Sequence, residues 1–571
     1  MKIFFLIGIT LIGLTQAKDW WENGNFYQIY PRSFKDSNGD GVGDLNGIAE
    51  KLPYLKEIGI TGAWLSPIFK SPMVDFGYDI ADYRVIHPEF GTMEDFKNLI
   101  KKAKEIGMKI FLDFVPNHTS DESEWFKKSV QRIEPYTDYY IWHDGIIDEN
   151  GERKPPTNWV SAFRYSAWEW NEDRKQYYLH QFAIKQPDLN YRNPKVVTEM
   201  KNVIKFWLDI GVDGFRIDAV PYMFEIEADK NGNYPDEPVD PNCPNPDDLC
   251  HTLKIYTQNQ IETFDMIYQW RELCDEYKKE HGGDTRILFT EAYTSLENEI
   301  KFYGDGKRNG SHVPFNFELI SYTNMGSTAT DFNKHIDSWL NNMPKDVIAN
   351  WVLGNHDNHR LASRYGPART DLFNIMLNTL PGNAITYNGE EIGMTDVWIS
   401  WEDSVDPQAC NTDPDRYYAV SRDPARTPFQ WDASNLAGFS SSTNSWLPVA
   451  KNYTINNVLM QSRSPVSHLQ VFKKLTKLRQ EPAFQTKTLN EKIVHNNVLL
   501  YRREGKGDNY IIVLNFGKNS ETINLKEKFP SITNKVEIIT TSIQSKYTDG
   551  EIVDATKFVA EGEVGTVVVS V

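Results

Sequence analysis

Four short segments of this 571-residue chain place carboxylates at the ends of apolar runs. They are Asp113-Phe114-Val115-Pro116-Asn117-His118, Gly214-Phe215-Arg216-Ile217-Asp218, Phe289-Thr290-Glu291-Ala292 and Asn355-His356-Asp357. The runs read as buried strands, and amphipathic helical stretches separate them. Residues 26–34 read as a strand, and 45–58 as a helix with Ile48, Leu52, Leu55 and Ile58 on one face. Residues 63–68 read as the second strand and 109–115 as the third. Between them, 93–106 is a helix whose Phe96, Leu99, Ala103 and Ile106 recur every three or four positions. The cycle resumes with a helix over 194–210, ended by Gly211, and strands over 214–219, 287–292, 312–320, 348–354 and 383–387. A last helix covers 468–478. This alternation specifies a parallel sheet with helical crossovers, an α/β fold. Closed into a (β/α)8 TIM barrel, it brings every strand end to one rim, so residues far apart in sequence meet in one pocket.

The rhythm breaks twice. Residues 119–193 are rich in Trp, Tyr, Asp and Pro without a long helical period, which predicts an inserted subdomain after the third strand rather than a bare loop. From about 485 the pattern becomes all-β, with strands near 497–502, 510–516, 536–541 and 564–569. The expected division is therefore a barrel over 18–118 and 194–484, an insert over 119–193, and a C-terminal antiparallel β-sandwich over 485–571.

Lys2 precedes an apolar run from Ile3 to Leu14, and small or polar residues lead to Ala17. That pattern predicts a signal peptide over 1–17 and a secreted, extracellular protein. The run is shorter than the roughly 18 apolar residues a membrane span needs. A formal charge of -18 opposes binding to nucleic acid or anionic membrane. With only four cysteines the chain is no disulfide scaffold. Cys243 and Cys250, bracketing a Pro-Asn-Pro-Asp loop, are expected to pair in an oxidising compartment. Cys274 falls on a helical pattern and reads as a buried thiol, and Cys410 is left open. Sequons at Asn309 and Asn452 predict glycosylation. The one at Asn117 sits inside a polar strand-end motif and is expected to be buried and unmodified.

Cleaving an acetal C–O bond near neutral pH needs an acid to protonate the leaving oxygen. It also needs a carboxylate to meet the developing oxocarbenium carbon. Asp218, Glu291 and Asp357 on one rim supply such groups. Any one alone reads as well as a helix cap or an ion-pair partner; four in order, each at a strand end, do not. Their order and wording resemble the α-amylase superfamily of glycoside hydrolases (family thirteen) over nearly the whole mature chain. The resemblance implies Asp218 as nucleophile, Glu291 as general acid/base and Asp357 as the third acid, gripping sugar hydroxyls. It also implies His118 and His356 as sugar-binding histidines and Asp113 as support for the pocket floor. Arg216, two residues before Asp218, points to the same side and can favour its ionised form. Carboxyl neighbours should raise Glu291 so that it starts protonated. The retaining mechanism so implied carries a carboxyl separation of about 5–5.5 Å.

Two further segments resemble the α-glucosidase branch of that family: Asp75-Phe76-Gly77-Tyr78-Asp79 and Arg422-Asp423-Pro424-Ala425-Arg426-Thr427-Pro428. There an Asp–Arg pair closes the pocket behind a single glucose, so the resemblance implies Asp75 paired with Arg426, with Arg422 as the alternative. Tyr78 would stack beneath the ring. Gln186-Pro187-Asp188-Leu189-Asn190 is similar to the same branch, and Ala219 after Asp218 goes with α-1,4 rather than α-1,6 cleavage. Asp19-Trp20-Trp21-Glu22-Asn23 and Asp406-Pro407-Gln408-Ala409-Cys410 are most similar to secreted insect maltases. The expectation is an exo-acting enzyme on small oligosaccharides or disaccharides. The rivals are an endo-acting α-amylase and a catalytically silent homologue that serves as a binding partner or receptor.

Asp36-Ser37-Asn38-Gly39-Asp40-Gly41-Val42-Gly43-Asp44 sets oxygen donors on alternate residues: side chains of Asp36, Asn38, Asp40 and Asp44, and the Val42 carbonyl. This resembles the first nine positions of an EF-hand loop, but Gly47 replaces the bidentate Glu at position twelve. Hard donors in a flexible loop predict structural Ca²⁺ rather than Mg²⁺. The competing reading is a polar turn that caps the following helix.

Overall fold

A computed structural model describes residues 18–489, 491–505 and 507–571; the expected signal peptide lies outside them. Eight parallel strands form one sheet: β1 (Asn25–Ile29), β2 (Gly62–Leu65), β3 (Lys109–Phe114), β4 (Gly214–Ile217), β5 (Ile287–Thr290), β6 (Val313–Pro314), β7 (Asn350–Val352) and β8 (Asn383–Tyr387). Hydrogen bonding runs β6-β5-β4-β3-β2-β1-β8-β7, which is chain order around a barrel. The remaining seam, between β6 and β7, is bridged by one buried side chain. Asn350 accepts the Asn316 N–H at 2.8 Å and donates to the Pro314 carbonyl at 2.5 Å.

Local chemistry explains the helices. Leu45–Glu57 is capped by Asp44, which accepts the Gly47 N–H, and it buries Leu45, Ile48, Leu52 and Leu55 against the barrel. Met93–Glu105 starts with a reciprocal Thr92–Asp95 capping box. Pro194–Ile210 has Asn193 as its cap, Pro194 in its first turn and Gly211 at φ 110° after its end. Two expected strands are shorter than the apolar runs implied. The first ends at Ile29 because Pro31 opens a short helix, Pro31–Phe34. The run 312–320 yields only Val313–Pro314, since Pro314 has no N–H for a ladder, and a helix follows at Glu318–Tyr322.

The C-terminal part is a six-stranded antiparallel sheet in the order Glu491–His495, Val498–Gly505, Asp508–Asn515, Gly565–Ser570, Lys535–Thr541, Ile552–Asp554. A separate pair, Glu521–Ile523 with Phe558–Ala560, covers one face. The sheet shares a core with the barrel through the wholly buried helix Thr370–Thr379. Phe332 of the barrel stacks on Phe516 at 4.3 Å between ring centroids. No helix among the described residues is long and apolar enough to cross a membrane.

Three long excursions leave the barrel rim. The first contains a three-stranded sheet (Trp142–His143, Gln176–Leu179, Trp168–Asn171) inside the expected insert. The second, residues 218–260, falls within the span read from sequence as plain barrel. It packs Ile226, Tyr234 and Tyr256 on the insert's apolar cluster, with the Tyr234 ring against Trp159 and Trp168. It is held by Glu237, whose carboxylate accepts the backbone N–H groups of Ile255, Tyr256 and Thr257, and it carries the Cys243–Cys250 disulfide. The third, residues 388–457, is irregular with short helices. Cys274 is buried and free; Cys410 is free and exposed.

Candidate active site

Arg216 organises the site. On β4, its side chain alternates with those of Phe215 and Ile217 and faces the barrel interior together with that of Asp218. Its Nη1 lies 2.7 Å from Asp113 Oδ1 and 2.6 Å from Asp218 Oδ1, and its Nη2 lies 2.9 Å from Glu291 Oε2. Ala219, just past Asp218, adopts φ 46°, a left-handed conformation that strains a non-glycine residue. That turn lets its N–H donate to Glu291 Oε2 at 2.9 Å. Three carboxyls from three neighbouring strands thus share one guanidinium.

Burial governs their protonation. It raises Asp218 well above the carboxylate range, and Arg216 opposes this without cancelling it. Burial also raises Glu291, with Arg216 opposing and the Asp357 charge adding to the rise. Asp113 is pushed up to about 7 by burial against the pull of Arg216. Because the three carboxyls share one guanidinium, the ionisation of each depends on the others. The expected ionising role of Arg216 on Asp218 is therefore real in sign but smaller than desolvation. Asp357 behaves oppositely. Burial acts to raise it, yet the charges facing it hold it below the usual range. Because burial keeps His356 neutral, the guanidiniums of Arg426 and Arg422 carry that effect.

The histidines are fixed by their partners. His356 Nδ1 accepts from the Gln28 amide at 2.8 Å, so Nε2 carries the proton and meets the Tyr78 hydroxyl at 2.6 Å. Tyr78 in turn donates to Asp113 Oδ2 at 3.1 Å. The Tyr78 ring lies near-parallel to that of His356 and lines the pocket. His118 donates from Nε2 to the Tyr78 carbonyl at 3.1 Å and accepts from Asn117 at Nδ1; burial lowers it to about 3, so it is neutral. Asn117 is itself buried and bonded to Asp188 Oδ1, as an unmodified sequon should be.

The two arginines stand in the reverse of the expected order of preference for Asp75. Arg426 does not reach Asp75. Its Nη2 bonds Asp357 Oδ1 at 3.0 Å and its Nε bonds the His356 carbonyl at 2.9 Å. Arg422 makes the pair instead, with Nη2 2.8 Å from Asp75 Oδ1, both side chains buried. The short 3₁₀ turn Asp423–Ala425 separates the two arginines and sends them to different acids. Gln186 supports Asp75 from the other side, with Nε2 3.2 Å from Oδ2.

These groups surround a cavity of about 370 Å³. Much of its wall was not legible as a site from sequence. Phe163 and Phe182 come from the insert, Tyr222 and Leu249 from the 218–260 excursion, and Gln408 from the third excursion. Tyr293 lies two residues past Glu291, and its hydroxyl accepts from the amides of Asn355 and Asn358.

The Asp36–Asp44 loop lies apart from this wall. Asp36 accepts the N–H groups of Asn38, Gly39 and Gly41, Asn38 that of Asp40, and Asp40 that of Val42. Asp44 accepts from Ser37 and caps the next helix, so the capping reading is correct for that residue. Among the described residues no three His, Cys, Asp or Glu side chains converge as ligands. A cation here would need the Asn38 amide oxygen and the Val42 carbonyl, a donor set that suits calcium chemically.

Residues 28–487 match the family model described as the alpha amylase catalytic domain. Maltase A1 of Drosophila melanogaster is 62% identical over 568 residues, covering 99% of this chain and 98% of that protein. Salivary alpha-glucosidase of Aedes aegypti is 51% identical over 569 residues, with the same two shares. Among solved structures, the trehalulose synthase MutB of Pseudomonas mesoacidophila MX-45 superposes with a TM-score of 0.84 at 31% identity, over 97% of this chain and 100% of that one. With the matched catalytic domain spanning the barrel and its carboxylate-bearing rim, the chain belongs to the α-amylase family of glycoside hydrolases.

Proposed function

We propose that this enzyme is a retaining, exo-acting α-glucosidase that releases glucose from the non-reducing ends of α-1,4-linked oligosaccharides and also cleaves sucrose. The observation that carries this reading is the buried Asp75–Arg422 pair on the wall of the cavity that holds Asp218 and Glu291. A buried ion pair there closes the end behind one sugar ring, which suits chain ends and excludes chain interiors. The maltase and α-glucosidase names of the two insect relatives support it. An intact Asp218–Glu291–Asp357 set disfavours a silent binding protein, and the closed end disfavours an endo-acting amylase.

In the reaction, Glu291 gives its proton to the glycosidic oxygen while Asp218 attacks C1, forming a glucosyl ester and releasing the remaining sugar. Glu291, now a carboxylate, takes a proton from water as that water attacks C1 and Asp218 departs. Asp357, kept ionised by Arg426 and Arg422, accepts hydrogen bonds from ring hydroxyls, and neutral His118 and His356 donate to them by turning their Nε2–H groups from Tyr78 to the sugar. Incubation with maltose, sucrose, isomaltose and soluble starch tests the reading. Fast glucose release from maltose and sucrose, slow release from isomaltose and no internal starch cleavage are expected; shortened starch chains without free glucose would refute it.

Secretion is part of the proposal, supported by the N-terminal apolar run and the salivary name of one relative. So are glycans on exposed Asn309 and on Asn452. We also place Ca²⁺ on Asp36, Asn38, Asp40, Val42 and Asp44. When bound it supplies charge neutralisation that stiffens the loop. The loop docks the third excursion, through Asp36 N–H to the Phe439 carbonyl and Trp446 N–H to the Gly41 carbonyl. Exhaustive EDTA should lower Tm by roughly 2 °C, the loss of about 2–3 kcal/mol of binding linkage in a chain this size. Calcium should restore it and magnesium should not; an unchanged melt would argue against the site.

A further inference from the structure

We infer that Asp406 is a positioning residue for recognition of the terminal glucose, acting through Arg422. The inference rests on the exo reading above and deepens it. Asp406 lies in the third excursion, fully buried, and touches no catalytic carboxyl directly. Its carboxylate takes Arg422 Nε at 3.0 and 3.1 Å, Nη2 at 2.6 Å and the Arg422 backbone N–H at 2.7 Å. The same Nη2 makes the 2.8 Å contact to Asp75. Arg422 is therefore gripped along one edge by Asp406 and presented to Asp75 from its tip, with the Phe163 ring 4.9 Å from its guanidinium carbon.

The grip is reciprocal. Asp423, next to Arg422, accepts the backbone N–H groups of Val405 and Asp406 at 2.8 and 3.1 Å and the Ser404 hydroxyl at 3.2 Å. Asp406 thus holds the backbone at Arg422 while Asp423 holds the backbone at Asp406, and the two stretches of chain form a clasp. Asp406 also caps the turn Pro407–Cys410 through the Gln408 N–H, and Gln408 reaches the pocket wall. One residue further on, the Asn411 amide donates to the Phe163 carbonyl at 2.8 Å. A single buried carboxylate therefore fixes the arginine of the closed end and the turn that ties it to the insert.

An arginine side chain has many rotamers, and Asp75 alone contacts only one nitrogen of Arg422. Without Asp406 the guanidinium keeps only the Nη2 contact to Asp75 at 2.8 Å and the longer Nη1 approach to Asp357 at 3.5 Å to hold the orientation that reads the sugar's hydroxyls. Binding should suffer more than the chemical step. The experiment is steady-state kinetics on maltose with thermal melts, for wild type, Asp406→Asn, Asp406→Glu and, as a control, the exposed neighbour Asp403→Asn. Asp406→Asn should raise KM about ten-fold while kcat changes less than about three-fold. Asp406→Glu, which keeps the charge, should fall between, and Asp403→Asn should match wild type. If Asp406→Asn does not fold, Arg422→Lys serves: it keeps a cation beside Asp75 but loses the fork that spans two acids, and the same KM rise is expected. A wild-type KM in either folded variant overturns the inference while the exo reading stands. So does a parallel fall in kcat and Tm without a KM change. A wild type that releases no glucose from maltose overturns both.

Discussion

Asp218→Asn abolishes measurable turnover of maltose, and Glu291→Gln lowers kcat by about 10²–10⁴-fold. Neither should change the melting temperature downward, because both side chains share a buried guanidinium with more carboxyls than it can neutralise. Removing one acid relieves repulsion rather than creating it. The two losses differ in kind. Glu291 is needed to protonate a poor leaving group, so an aryl glucoside with an acidic phenol should restore the first step in Glu291→Gln. Deglucosylation then becomes limiting, and a burst of phenol should appear. No leaving group can rescue Asp218→Asn, since the nucleophile itself is gone. Near-wild-type rates on maltose in either variant would remove the assignment.

Arg216→Met should destabilise the fold by about 3–5 kcal/mol at neutral pH, the cost of leaving buried carboxyls without their cation. The deficit should depend on pH in a defined direction. Asp113 already sits at about 7 in the folded protein against an ordinary 3.8. Between those values the folded state binds more protons than the unfolded chain. The contribution of this group is therefore fully present below about 4 and is lost as pH rises through 7. Without Arg216 the folded values of Asp113, Asp218 and Glu291 all move higher, and more stability is lost over the same rise. Denaturant melts at pH 5 and pH 8 should show a small deficit at the lower pH and a larger one at the higher. A deficit that shrinks with rising pH would mean that the guanidinium does not hold these carboxyls together.

The barrel was legible because buried parallel strands are short apolar runs and their crossovers are amphipathic, a contrast that survives in a single sequence. The carboxylates at the strand ends were legible for the same reason, since the fold sends all strand ends to one rim. What escaped was held by side chains rather than by periodicity. Residues 218–260 have no apolar period; Glu237 and packing on Trp159 and Trp168 hold them, so they passed as barrel. Arg422 and Arg426 stand four apart in one motif, and nothing local says which acid each faces. The 3₁₀ turn between them decides it. Asp406 was visible only as part of a wording shared with insect maltases, because its partner lies 16 residues away across an irregular loop.

A pocket closed behind one glucose and a two-carboxylate retaining mechanism each leave a mark on the first products. Proton NMR of the purified protein acting on maltohexaose, followed from the first minutes, tests both parts at once. The structure predicts glucose and maltopentaose as the first products, with the new glucose appearing as the α anomer before mutarotation. Maltotriose or maltose as first products, or glucose appearing first as the β anomer, would contradict it.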